Sequence, residues 1–286
     1  MHLRLSIDRK YSIDCMVFFS GRKLALASLV LPLFCGAVKL KAQATPPAGE
    51  VIQKAVACAQ QAQSGTVKND FTYTKVSMTE ELDSTGKEKD HCDKIYQVLF
   101  KSGLTRVKLL EVNGHPPAET DLRKQSDNEL TVNRLLGQSK NNAGDNRENF
   151  LTPELVARFD FQLVGQGAIN GRTAYRLSFQ PKNPEPPIHR VVDKLLNRIS
   201  GTLWIDTEEF EVARAEIQLG SEVDILGGMV GCLKHLAYTM TRTRVMDGLW
   251  LNSFSSGDFE GRKLLESMRI KTKSQSSNFR PLALNS

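Results

Sequence analysis

Cysteine is scarce in this chain, and a catalytic signature is missing. Five cysteines occur in 286 residues, and Cys15 and Cys35 fall in the first 44. Cys58, Cys92 and Cys232 remain, an odd count that excludes a disulfide-stapled scaffold. One bridge or three thiols both stay open, and a Cys58–Cys92 pair is not decided by spacing. There is no Gly-rich phosphate loop, no G-x-S-x-G elbow and no H-E-x-x-H zinc pair, so the commonest phosphate, serine-hydrolase and zinc-protease chemistries lack their residues. A basic surplus is also missing where it would count. The net charge is +6, but residues 1–44 hold seven Lys/Arg and two Asp/Glu; 31 basic and 30 acidic residues remain in 45–286, a net of +1. That balance argues against a nucleic-acid partner, which calls for clustered basic residues.

The first 44 residues carry the strongest single signal. Arg22 and Lys23 precede an uncharged apolar run, Leu24 to Val38, and the triplet Ala42-Gln43-Ala44 follows. A positive end, a short apolar middle and a small-residue exit make a secretory signal peptide. At fifteen residues the run is short for a membrane span, which needs about 20. Met16 is an alternative start, and cleavage fits after Ala44 or after Ala37. Phe34, a bulky residue ahead of Cys35, speaks against a lipid anchor there. The expectation is an exported, periplasmic protein whose mature part is one domain, 45–276, with a tail at 277–286.

Glu50 to Gln63 reads as a helix, with Val51, Ile52, Ala55, Val56 and Ala59 in one stripe. From Phe71 the period changes to two. Strands are expected at 71–78, Lys94 to Lys101, Thr105 to Val112, Phe161 to Ala168, Thr173 to Gln180, Gly201 to Asp206, Phe210 to Leu219, Cys232 to Val245, Leu249 to Phe254 and Arg262 to Ser274. Asn113-Gly114, Asn170-Gly171 and Asp247-Gly248 are hairpin turns. Thr152-Pro153-Glu154 starts a short helix ending near Phe159, and Ile188 to Arg198 reads as an amphipathic helix whose apolar side holds Val191, Val192, Leu195, Leu196 and Ile199. Gly137 to Asn149 is polar and reads as an exposed or disordered loop; Gly220 to Gly231 is either a mobile lid or a plain connection. Up to about eleven strand-like segments, several joined by tight turns, make a long antiparallel sheet, and a sheet that long curls. The fold class is mainly β (α+β): a curved antiparallel sheet or incomplete β-barrel with a few short helices on the concave side.

No cluster of side chains announces chemistry. Cys232 and His235 have C-x-x-H spacing, and His91-Cys92 offers a second pair, but opposite parity on a strand points Cys232 and His235 to opposite faces. Glu80-Glu81 and Glu208-Glu209 are paired carboxylates at strand ends or turns, which are ordinarily solvated rather than catalytic. Trp204 and Trp250 are either core or ligand-stacking aromatics. No cofactor, metal or catalytic residue is assigned.

Three phrases in the second half carry a resemblance. Asn170-Gly171-Arg172-Thr173-Ala174-Tyr175-Arg176-Leu177 fits a G-x-x-x-Y-x-L pattern; Gly201-Thr202-Leu203-Trp204-Ile205-Asp206 with Val212 and Arg214 fits G-x-L-W-I-D … V-x-R; Asp247-Gly248-Leu249-Trp250 fits a later G-x-W strand. In these the chain resembles the periplasmic outer-membrane lipoprotein-sorting proteins of LolA/LolB-like fold, including RseB-like sensors, loosely over Glu50 to Ser274 and most specifically over 165–255. The polar stretch Gly137 to Asn149 departs from that pattern. The resemblance implies an incomplete barrel with helices as a lid, and a non-enzymatic carrier that holds lipid or lipoprotein acyl chains in an apolar concavity. Its partners would be acyl chains and inner- or outer-membrane sorting proteins. Alternation nominates Tyr175, Leu177, Phe179, Leu203 and Ile205 for the cavity wall, each of them either core or ligand contact. An envelope-stress sensor or protein-interaction module, and a hydrolase without a recognisable motif, are the rival readings.

Overall fold

The structure, a computed structural model, describes residues 46–64, 70–101, 104–124, 151–224, 231–263 and 266–282. The leader, its cleavage sites, Cys35, the polar stretch at 137–149 and the glycines at 227 and 228 lie outside these. The chain divides into 1–44 and 45–286, and every described element belongs to the second unit.

Helix α1 spans Ala48–Ser64. Eleven strands come after it, β1 Phe71–Leu82, β2 Glu88–Lys101, β3 Leu104–Val112, β4 Phe159–Ile169, β5 Arg172–Pro181, β6 Ile199–Asp206, β7 Val212–Leu219, β8 Val223–Asp224, β9 Gly231–Met246, β10 Leu249–Lys263 and β11 Glu266–Pro281. Short helical segments interrupt them: a turn and a half at 119–124, α2 at Pro153–Val156 and α3 at Val191–Leu196. All strand pairs are antiparallel, in the order β3-β2-β1-β11-β10-β9-β7-β6-β5-β4, with β8 alongside β9. The sheet is curved and unclosed, so β3 and β4 are its edges.

The turns follow from local chemistry. Asn113 and Gly114 have φ of 50° and 77°, and Asn170 and Gly171 have 50° and 78°. Two successive positive φ angles make the tight turn that Asn-Gly favours; Asn170-Gly171 joins β4 to β5 as a hairpin, whereas Asn113-Gly114 ends the edge strand β3 and closes on the single bridge between Val112 and His115. At the β1–β2 turn Asp83 accepts hydrogen bonds from Thr85 and Lys87, and the Thr85 hydroxyl leads the contacts that hold its carboxyl below the usual range.

Several boundaries differ from the sequence reading. Strand β2 starts at Glu88, β10 continues to Lys263 and β11 runs to Pro281, past the expected end at Ser274. Polar residues fill these extensions, and neighbouring strands supply the ladder that local hydrophobicity does not. The helix from Thr152 stops at Val156, and Phe159 already belongs to β4. Helix α3 is shorter than expected and turned differently. Val191 is exposed, whereas Asp193 is 1% exposed and accepts hydrogen bonds from the backbone N–H groups of His189 and Arg190. Arg158 and Arg190 close ion pairs with it. Burial pushes the Asp193 carboxyl up, but these donors outweigh it and hold the pKa at about 2.

Two apolar clusters form the core. The larger joins α1 to β4, β5, β6, β7 and β9; the smaller joins Phe71, Tyr73, Val98, Phe100 and Leu251. Gly201 permits the first: a Cβ there would overlap the Glu216 carbonyl oxygen and lie 3.0 Å from the Phe179 ring.

Candidate functional site

Residues directly opposite in an antiparallel sheet share a face, so register alone maps the wall on which α1 lies. From β5 to β9 one row reads Leu177, Leu203, Ala215, Met240. Across β10, β11, β1 and β2 it continues as Ser255, Ser274, Ser77, Lys94. The next row reads Phe179, Gly201, Ile217, Tyr238, then Gly257, Thr272, Thr79, Cys92. In these two rows the inner face is apolar up to β9 and carries hydroxyl-bearing, small and charged side chains from β10 onward; the flanking rows turn apolar again, with Phe259 and Ile270 beside Leu236 at one end and Phe71, Tyr73, Val98 and Phe100 at the other.

The five nominated wall residues fall together on the apolar part. Leu177 and Ile205 are fully buried, Leu203 and Phe179 nearly so, and Tyr175 is half-buried. The same cluster contains Val51, Ile52, Ala55 and Ala59 of α1, so the helix stripe read from the sequence occupies the apolar wall. Two hollows lined entirely by described residues lie elsewhere. One, of 330 Å³, is lined by Thr72, Tyr73, Thr74, Gln97, Asn278, Phe279 and Arg280; the other, of 170 Å³, lies between α3 and β8.

The end of α1 meets a polar junction that sequence reasoning missed. The Cys58 thiol donates to the Glu209 carbonyl at 3.2 Å, and the Lys54 ammonium lies 4.9 Å from the Phe210 ring centre. Burial, then Glu211 and Glu209, pushes the Cys58 thiol pKa up. The Glu209 carboxylate accepts from the Trp250 indole at 2.6 Å and from Arg244 Nε at 2.6 Å. Arg242, 4% exposed, donates to Glu211 at 2.8 Å and to the Trp250 carbonyl at 2.8 Å. Arg172 binds both oxygens of Asp206 at 2.7 and 2.9 Å and reaches Glu208. Burial alone would raise the Asp206 pKa; Arg172 and the N–H groups of Glu209 and Glu208 bring it below the usual range. Glu208-Glu209 is thus bound up in structural pairs. Trp250 is 4% exposed and tied into the junction, while Trp204 stacks with Arg214 at 5.4 Å. Separation along the chain hid these contacts, because partners from 172 to 250 meet only through the sheet.

The described cysteines Cys58, Cys92 and Cys232 are all free thiols. Cys232 donates to Glu222 at 2.7 Å, with Asp224 close by, and Glu80, Glu88 and His91 form another cluster of ligand-type atoms. His235 joins neither.

No protein-family model matches the chain, and no curated protein does. Similar solved structures include a LolA superfamily protein from Nitrosomonas europaea, 12% identical over 84% of this chain and 96% of that one, with a TM-score of 0.32. The lipoprotein LppX of Mycobacterium tuberculosis is 13% identical over 83% of this chain and 99% of that one, TM-score 0.30. A structure of the Pseudomonas aeruginosa MucA/MucB complex is 11% identical over 82% of this chain and 99% of that one, TM-score 0.26. No described helix is long and apolar enough to cross a membrane.

Proposed function

We propose that the protein is an exported, non-enzymatic carrier that holds acyl chains of lipid or lipoprotein against the inner face of its sheet. The observation that carries this reading is the apolar wall of β5, β6, β7 and β9, covered by the one long described helix through a stripe of small and medium side chains. In the structure α1 occupies the wall, so Tyr175, Leu177, Phe179, Leu203 and Ile205 become ligand contacts only when α1 lifts.

Magnitudes make that exchange feasible. Val51 and Ile52 contribute about 2 kcal/mol each by burial and the two alanines about 1 kcal/mol each, roughly 6 kcal/mol in all. An acyl chain of about 15 methylenes gains about 12 kcal/mol at roughly 0.8 kcal/mol per group. Measured from water the chain outweighs the stripe; a chain that leaves a bilayer is already dry, so the exchange is nearly balanced and binding is reversible.

Incubation of the purified protein with phospholipid vesicles, removal of the vesicles and native mass spectrometry tests the reading. A mass increment of at least one lipid per chain is expected. Protein that stays lipid-free at every vesicle loading would rule out a carrier.

A second reading, a module that binds a protein partner, draws on the β4 edge. Lys182 N–H donates to the Arg158 carbonyl, so the pairs 160/180 and 162/178 exchange hydrogen bonds, and Phe159, Phe161 and Leu163 aim theirs away from β5. Among the residues of β4 only Asp160 is charged, whereas the other edge, β3, carries Arg106 and Lys108. A photo-crosslinker at the exposed Val164 discriminates: under this reading it captures a protein segment in the envelope, and a Leu163→Pro change, which removes an outward N–H, abolishes the capture.

A further inference from the structure

The polar patch on the inner face of β10, β11, β1 and β2, set between apolar rows, has a chemistry that an acyl-chain carrier does not itself require. Lys75 and Lys94 both point to this side, because Lys75 alternates with Ser77 and Lys94 pairs with Ser77. They are diagonal neighbours on β1 and β2, both half-buried, and neither has an ion-pair partner among the described residues. That is unusual for this sheet. The half-buried or buried arginines at 158, 172, 214, 242, 244 and 269 all face a carboxylate. The nearest acid on the Lys94 strand and face, Asp90, is four residues away, about 13 Å along the strand. Two like charges so placed repel each other. A negative group set between them removes the repulsion, and Ser77, Ser274 and Ser255 supply hydroxyl donors beside it in the same row.

We infer that this patch is a headgroup subsite: Lys75 and Lys94 hold the anionic, phosphate-bearing headgroup of a lipid whose acyl chains lie on the apolar wall of β5, β6, β7 and β9. The inference rests on the carrier reading and adds a selectivity to it. A neutral or zwitterionic headgroup leaves the two ammonium groups uncompensated, so the protein discriminates by net headgroup charge.

The test is the composition of the lipid taken up. Vesicles of phosphatidylcholine with one fifth phosphatidylglycerol, matched in acyl chains, are incubated with the purified protein and removed, and bound lipids are counted by native mass spectrometry. The bound fraction is expected to be enriched several-fold in phosphatidylglycerol. In the Lys75→Gln/Lys94→Gln double variant it should fall to the vesicle ratio with total uptake maintained. Lys271→Gln/Lys273→Gln removes the same charge from exposed positions on the outer face and should keep the enrichment. Wild-type uptake at the vesicle ratio, or enrichment that survives in the Lys75/Lys94 variant, overturns the headgroup assignment and leaves the carrier standing. No uptake of either lipid brings down the carrier itself. Calorimetric titration with inorganic phosphate alone should show no binding at millimolar concentrations; binding there would mark a free-phosphate site and refute the lipid assignment.

Discussion

Among single residues, Arg242 and Asp193 are buried charges held by several donors or acceptors each, and a buried charge is costly when its partner goes. Arg242→Met leaves Glu211, 8% exposed, without its counter-charge. The expected loss is about 3–5 kcal/mol in urea unfolding. Adding Glu211→Gln to that variant should recover part of the loss; a double variant as unstable as the sum of the singles would show that the pair is not coupled. Asp193 makes stability depend on acid. Its folded pKa lies at about 2, below the ordinary 3.8. The unfolded chain therefore takes up its proton first as pH falls. The contribution is complete above pH 3.8 and is lost as pH drops towards and through 2. Asp193→Asn should flatten the fall in melting temperature over that window. Neither residue was legible in the sequence: Asp193 sits among Val191, Val192, Leu195 and Leu196, where the helical period marks it as a solvent-facing residue, and Arg242 finds Glu211 thirty-one positions away.

At the scale of elements, α1 decides whether the apolar wall is core or ligand surface. Its stripe was readable because Val51, Ile52, Ala55 and Ala59 recur at the helical period. What the stripe covers was not readable, since the facing residues come from strands more than a hundred positions later. Cys58 reports on the helix. Its thiol is half-buried, bonded to the Glu209 carbonyl and shifted to higher pKa, so alkylation at pH 8 is expected to be slow. Lipid that lifts α1 should raise the rate at Cys58 several-fold, read by mass spectrometry of the modified peptide. An unchanged rate in lipid-loaded protein would mean that α1 stays down and the chains bind elsewhere. Strand β6 has a comparable control point. Gly201→Ala forces the new methyl into the Glu216 carbonyl, and about 1–3 kcal/mol of destabilisation is expected from the strain, seen as a lower urea midpoint.

For the whole molecule, the consequence of an unclosed sheet is two edges with different protection. The outward N–H groups of Phe159, Phe161 and Leu163 should exchange with deuterium faster than those of Asp160 and Gln162, which bond to β5. Equal protection of Phe161 and Gln162 would show that another strand closes the β4 edge in solution. The division of the inner face also belongs to this scale. Alternation identified Tyr175, Leu177, Phe179, Leu203 and Ile205 as co-facial, and register brings them together. The change from Met240 to Ser255 in one row was out of reach, because it depends on how β9 and β10 align across their bulges.

The local rules were decided by the amino-acid order itself: alternation for strands, the helical stripe for α1, Asn-Gly for the β4–β5 hairpin and for the tight turn after β3, and several strands joined by tight turns for an antiparallel sheet. These features depend on neighbours within a few residues, where backbone geometry and side-chain period leave few choices. Only the tertiary structure decided which face meets α1, which acids and arginines are buried together, and where greasy wall gives way to hydroxyls and lysines. Those outcomes require distant strands to be set in register, and a shift of one residue would send every side chain to the opposite face.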